Sequence, residues 1–102
     1  MSDDHPQILK TYKIRGYDVT LLKDYKTYPL AMTICKSGER DIVATVTLER
    51  NRMARALKTG SHFLCMHDGD RHLNYGASDE WMNVDKFEDA ALKTIENWID
   101  GR

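Results

Sequence analysis

No run of apolar residues in the 102-residue sequence approaches the roughly 20 that a membrane-spanning helix needs. The first six residues, MSDDHP, are acidic and polar. They lack the basic start and the apolar segment of a signal peptide. From these two absences we expect a cytoplasmic protein that makes no membrane contact.

Cysteine is scarce, since Cys35 and Cys65 are the only two in the chain. In a reducing compartment both are expected to be free thiols. A disulfide between them would require that their strands be neighbours in the fold. The sequence alone does not show whether they are.

The chain has no large excess of positive or negative charge. It contains 15 Lys and Arg and 16 Asp and Glu, for a net charge of −1. No overall field attracts a polyanion, so any contact with nucleic acid has to come from a local patch. The chain also has no glycine-rich phosphate loop, no serine-hydrolase elbow and no recognisable pair of catalytic carboxylates. We therefore predict a non-catalytic protein without a cofactor.

The residues that are present predict one domain over 1–102, with residues 1–7 as a flexible tail. The clearest strand covers 42–49. One face carries only apolar residues, and the other carries Val43, Thr45, Thr47 and Glu49. Further strands are predicted at 8–15 and 17–23, with Gly16 at the bend, and at 30–34, 61–67 and 71–76. Residues 24–29 are expected to form a loop, because Pro29 disfavours helix before it.

Two helices complete the prediction. A short one of two turns is expected near 51–58, with Asn51 as N-cap and Gly60 just past its end. Met53, Ala56 and Leu57 are expected to pack on the sheet. A long one is expected over about 85–100. Asp85 takes the N-cap role there, with Glu88 at the spacing of a capping box. An apolar stripe contains Val84, Phe87, Ala91, Leu92, Ile95, Trp98 and Ile99. The fold class is α+β: an antiparallel sheet of five to six strands with the long helix packed across it.

The segment from His62 to His72 contains three of the four histidines. Asp68-Gly69 is typical of a two-residue hairpin turn. That turn places His67 opposite Asp70 and Cys65 opposite His72. Because side chains alternate between faces, one face then carries Leu64, Met66, Leu73 and Tyr75, and the other carries Cys65, His67, Asp70 and His72.

The polar face of this hairpin has three interpretations. Cys65, His67, Asp70 and His72 are zinc, copper or nickel ligands by type, but their spacing fits no established zinc pattern. Cys65 and His72 would also suit a thiolate–imidazole pair. We favour a solvated, metal-free face, since a core made by a sheet and a long helix needs no ion to fold.

A group of four cations, Arg50, Arg52, Arg55 and Lys58, lies in nine residues. On a helix three of them form a ridge that can hold phosphates, meet an acidic protein surface, or remain solvated.

Aromatic residues are predicted in two loops, with Tyr25 and Tyr28 in one and Trp81 in the other. Tyrosine, tryptophan and arginine are enriched at binding hot spots, so we take these three aromatics with Arg52 and Arg55 as candidates for protein binding. The leading hypothesis is a small protein-binding module of the inhibitor, immunity, phage-modulator or adaptor type. The second is a nucleic-acid-associated regulator that uses Arg50, Arg52, Arg55 and Lys58, and the third is a metal-binding or thiol-reactive hairpin.

Overall fold

A computed structural model describes residues 6–101, which form one antiparallel sheet and a helical layer. Six strands pair in chain order: β1 (Gln7–Ile14), β2 (Tyr17–Tyr25), β3 (Tyr28–Lys36), β4 (Ile42–Arg50), β5 (His62–Asp68) and β6 (Arg71–Ser78). Two α-helices, α1 (Ala54–Leu57) and α2 (Val84–Asp100), and a 3₁₀ turn at Glu80–Met82 complete the structure. The predicted α+β class is confirmed.

The N-terminal part of the predicted tail, residues 1–5, lies outside the described residues, and β1 begins at Gln7. Within residues 6–101, no helix is both long enough and apolar enough to span a membrane.

Helix α2 covers one face of the sheet, as its apolar stripe predicts. Phe87 and Ile95 are fully buried and Trp98 is 9% exposed, so their predicted burial is confirmed. Val84, at the first residue of the helix, is exposed. The helix packs on alternating residues of the central strands: Val19, Leu21, Leu30, Met32, Ile34, Ala44, Val46, Leu48, Leu64 and Met66.

The start of α2 differs from the prediction. Asn83, not Asp85, is the N-cap, and its side-chain oxygen accepts from the backbone N–H groups of Asp85 and Lys86. Glu88 makes no capping box. Its carboxylate instead accepts from Lys10 at 2.8 Å and from the Tyr12 hydroxyl, both on β1. The side chain of Glu88 therefore joins the helix to the edge strand β1 instead of capping the helix.

The predicted loop at 24–29 is wrong. Strand β2 runs through Tyr25 and β3 starts at Tyr28, so only Lys26 and Thr27 connect them. The two tyrosines form a cross-strand pair, and both side chains are half-buried. Pro29 is tolerated as the second residue of β3, at the start of the strand.

The predicted short helix near 51–58 is present as α1, but it is shorter than predicted. Helix α1 has a single turn, and none of its residues is buried. Because four residues cannot form a continuous apolar stripe, Met53 and Leu57 do not pack on the sheet, and they are 55% and 62% exposed. The helix ends at Lys58, which has a left-handed backbone (φ +55°), while Gly60 packs against β6.

The turn between β5 and β6 is Gly69-Asp70, one residue later than predicted. Only Gly69 has a positive φ (+61°), which is typical of a type II′ turn, whereas the predicted type I′ turn needs two such residues. His67 therefore faces His72, and Cys65 faces Asn74. Cys65, Met66 and His67 each pair two positions further along β6 than predicted and keep their predicted faces, whereas His62 and Phe63, beyond a β-bulge, pair three positions further.

Candidate functional site

The predicted cations lie where β4 ends and β5 begins. Arg50 pairs across the sheet with His62, and the β4–β5 loop, residues 51–61, connects their strands. Arg50, Arg52 and Arg55 line one pocket, which we call the arginine pocket; its other lining residues are Asn51, Ala54, Ser61 and His62. Lys58 does not line this pocket, so three of the four predicted cations converge.

Asn51 fixes the shape of the β4–β5 loop. Its side chain is buried and accepts from the backbone N–H of Met53 at 3.1 Å. Its amide nitrogen donates to the Thr59 hydroxyl and to the Gly60 carbonyl, both at 2.9 Å. These bonds join the two ends of the loop across eight or nine residues of chain. The predicted N-cap is therefore a loop clamp.

The arginine pocket has no carboxylate among its lining residues. Within residues 6–101, no carboxylate lies within ion-pair distance of Arg50, Arg52 or Arg55. Burial and the charge of Arg50 lower the pKa of His62, and the nearby Asp79 opposes them. His62 thus favours its neutral form, and the positive charge of the pocket comes from the guanidinium groups.

The predicted aromatic candidates do not join the arginine pocket. Tyr25 and Tyr28 lie at the β2–β3 turn, and Trp81 is half-buried against the core. The large apolar side chains beside the arginines are Met53 and Leu57, which the sequence placed in the core. The exposed apolar surface near the positive charge is therefore that of Met53 and Leu57, and not that of the aromatic residues.

A second cluster lies on the sheet face opposite α2. His67 and His72 are paired across β5 and β6, and their rings stack at 4.5 Å with 11° between their planes. Glu49 of β4 approaches both: its Oε2 lies 2.8 Å from His67 Nε2 and 3.5 Å from His72 Nε2. The Thr47 hydroxyl donates to the same carboxylate at 2.7 Å. Glu49, His67 and His72 are called the histidine cluster below.

The other predicted members of the polar hairpin face have different surroundings. Asp70 is in the turn and lies outside the histidine cluster. Cys65 is on the same face but buried, and burial, with the adjacent Glu49 carboxylate, raises the pKa of its thiol to about 12. The predicted opposition of Cys65 and His72 is wrong, because Cys65 faces Asn74. A protonated, buried thiol is a poor nucleophile.

The carboxylate of Glu49 is ionised in this setting. Burial favours its neutral form, but hydrogen bonds from Thr47 and His67, with the charges of the two histidines, outweigh burial. Together they lower the pKa of Glu49. The residue was missed as a site candidate because it is 18 positions from His67. The available signal was its place on the polar face of strand 42–49.

The chain matches no protein-family model, no curated protein and no solved structure, so both clusters are interpreted here from their own chemistry.

Proposed function

We propose that this domain is a non-catalytic module that binds an acidic partner protein through the arginine pocket and the exposed residues of the β4–β5 loop. The observation that supports this most directly is the convergence of Arg50, Arg52 and Arg55 on one pocket without a carboxylate of their own. A guanidinium group binds a carboxylate through two parallel hydrogen bonds. An Asp or Glu side chain of a partner supplies the missing charge.

Met53 and Leu57 favour a protein over a nucleic acid as this partner. Both are largely exposed in the same loop as Arg52 and Arg55. Methionine and arginine are enriched at protein interfaces, where apolar contacts exclude water around the charged pairs. A phosphate backbone offers no apolar surface to these two side chains.

An inhibitor, immunity protein, phage modulator or adaptor would all use such a contact, and the proposal covers this class. A cytoplasmic setting belongs to the same proposal. Cys35 on β3 and Cys65 on β5 are both free, and their strands are separated by β4, so the fold uses no disulfide between them.

The first experiment measures binding to defined probes by fluorescence anisotropy. The probes are a labelled peptide in which Glu alternates with Leu, its Gln counterpart, and a mixed-sequence oligonucleotide. We expect the Glu peptide to bind most tightly. The Arg52→Glu, Arg55→Glu double variant should weaken it by about tenfold or more, since charged hydrogen bonds contribute about 1.5–3 kcal/mol each. A Lys86→Glu, Lys93→Glu variant changes the charge equally on the exposed side of α2 and should bind normally.

A second variant separates the two partner classes. Met53→Ser, Leu57→Ser should weaken binding of the Glu–Leu peptide and leave any oligonucleotide binding unchanged. Equal affinity for the Glu and Gln peptides contradicts the proposal. If the oligonucleotide binds more tightly, and its affinity falls steeply with salt and with the arginine reversals, the domain is instead a nucleic-acid regulator.

A further inference from the structure

The histidine cluster lies on three adjacent strands of one sheet, with Glu49 on β4, His67 on β5 and His72 on β6. One ligand atom from each residue lies within 4.8 Å of the other two. From this geometry we propose that Glu49, His67 and His72 bind a divalent transition-metal ion of the zinc type. The site is independent of the arginine pocket and of the partner proposed there.

The distances fit such an ion. With Zn–N and Zn–O bonds of about 2.0–2.1 Å, two ligand atoms of a tetrahedral site lie about 3.3 Å apart. The carboxylate Oε2 of Glu49 is 2.8 Å from one imidazole Nε2 and 3.5 Å from the other. Both histidines therefore direct the same ring nitrogen toward one carboxylate oxygen. Small side-chain rotations replace the two contacts with bonds to a shared ion.

The donor set selects the kind of ion. Two imidazoles and one carboxylate suit zinc and its neighbours in the first transition row, whereas calcium and magnesium prefer oxygen donors. Three protein ligands leave a fourth position for water. His72 is 53% exposed at its side chain, so this position opens to solvent and an ion can reach it.

Neighbouring side chains support the first ligands. The Thr47 hydroxyl donates to Glu49 and lies 3.2 Å from His67 Nε2, so it orients the carboxylate. Such outer contacts fix the direction of metal ligands. Cys65, which lies on the same face, is not a ligand in this proposal because its side chain is buried and it is not one of the three residues whose ligand atoms all lie within 4.8 Å of one another.

This site differs from the one that the hairpin alone suggested. That set placed Cys65 and Asp70 beside the histidines, and a single hairpin face does not enclose an ion. In the structure, the Glu49 carboxylate of the neighbouring strand β4 takes the place of Cys65 and Asp70. Because paired strands hold all three backbones, the ligands are largely positioned before the ion binds.

The experiment uses the 102-residue protein without an affinity tag, stripped with EDTA and dialysed. Zinc binding is measured by isothermal titration calorimetry, and cobalt binding by its visible absorption. We expect one equivalent of each ion and a melting temperature that rises with zinc. Glu49→Gln and His72→Gln should each weaken binding by at least about tenfold, the lower limit seen when only an outer-shell contact is lost.

Two controls test whether the right residues are responsible. The His5→Gln, His62→Gln double variant removes the other two histidines of the chain and should bind zinc normally. Cys65→Ser should also bind zinc normally. The cobalt spectra of the native protein and of Cys65→Ser should both lack a thiolate charge-transfer band. His72 lies on the exposed edge strand β6, so His72→Gln should keep the far-UV circular dichroism of the native fold.

Three results would overturn the proposal. The first is no saturable binding of zinc or cobalt by the native protein. The second is unchanged affinity in both Glu49→Gln and His72→Gln. The third is loss of binding in Cys65→Ser or in the histidine control, which would move the metal to a different set of ligands.

Discussion

Trp98 should be among the most costly residues of the chain to truncate. It lies in the last turns of α2, where its indole ring and the Tyr17 ring pack edge to face with their centroids 5.5 Å apart. Its Nε1 donates to the Asp68 carboxylate at 2.9 Å. One side chain therefore connects the C-terminal helix to β2 and to the β5–β6 hairpin.

The size of the effect follows from burial. A tryptophan buries about 150–250 Å² on folding, which at about 25 cal/mol per Å² corresponds to about 4–6 kcal/mol. Measured Trp→Ala substitutions in cores cost about 3–5 kcal/mol. We expect Trp98→Ala to lower the free energy of unfolding by about 3–5 kcal/mol and the melting temperature by at least about 12 °C.

Urea denaturation followed by far-UV circular dichroism measures this loss, because α2 is the main helix of the domain. Trp98→Phe keeps an aromatic ring against Tyr17 but removes the hydrogen bond to Asp68, so it should lose about 1–2 kcal/mol. Glu96→Ala, on the exposed side of the same helix, should stay within about 0.5 kcal/mol of the native protein. A cooperative Trp98→Ala transition with a loss below about 1 kcal/mol would refute the packing argument.

Three further substitutions test other contacts. Asn51→Ala removes the buried clamp of the β4–β5 loop, so we expect a loss of about 1–3 kcal/mol in chemical denaturation; an unchanged midpoint would contradict that role. Gly60→Ala places a Cβ 2.2 Å from the backbone nitrogen of Ser78. It should lower the free energy of unfolding by about 1–3 kcal/mol and shift the Ser78 amide resonance. A native-like spectrum and melting temperature would contradict the close packing of residue 60 on β6. Hydrogen bonds, the first from Lys10, lower the pKa of Glu88 from its ordinary 4.5. Its contribution to stability is therefore present above pH 4.5 and lost as the pH falls below it, so Glu88→Gln and the native protein should converge in stability in acid; a difference independent of pH argues against the ion pair.

The parts of the fold that sequence predicts best are those where one face of an element is buried. Along 42–49, Ala44, Val46 and Leu48 are all in the core, as their alternation indicates. In α2 the spacing of the large apolar residues gives the buried face directly. Burial of one face imposes a repeat on the residue types, and that repeat can be read without a structure.

Local signals failed where distant contacts decide the conformation. Asp68-Gly69 predicts a turn at Asp68, yet Asp68 stays in β5, where its carboxylate accepts from Trp98, 30 residues away. Gly69 then begins the turn. The spacing of Met53, Ala56 and Leu57 likewise predicts an amphipathic helix of two turns. The side chain of Asn51 instead joins the two ends of this segment, and only one helical turn forms.

The histidine cluster shows the same limit in the chemistry of a site. His67 and His72 are five positions apart, and the hairpin already places them on one face, so sequence finds them without difficulty. Glu49 joins them only because β4 pairs with β5 in a register that puts Thr45 opposite His67 and Thr47 opposite Cys65. A shift of that register by one residue would send Glu49 to the face covered by α2. Strand pairing between distant segments therefore determines whether this face carries two histidines alone or two histidines with a carboxylate near both.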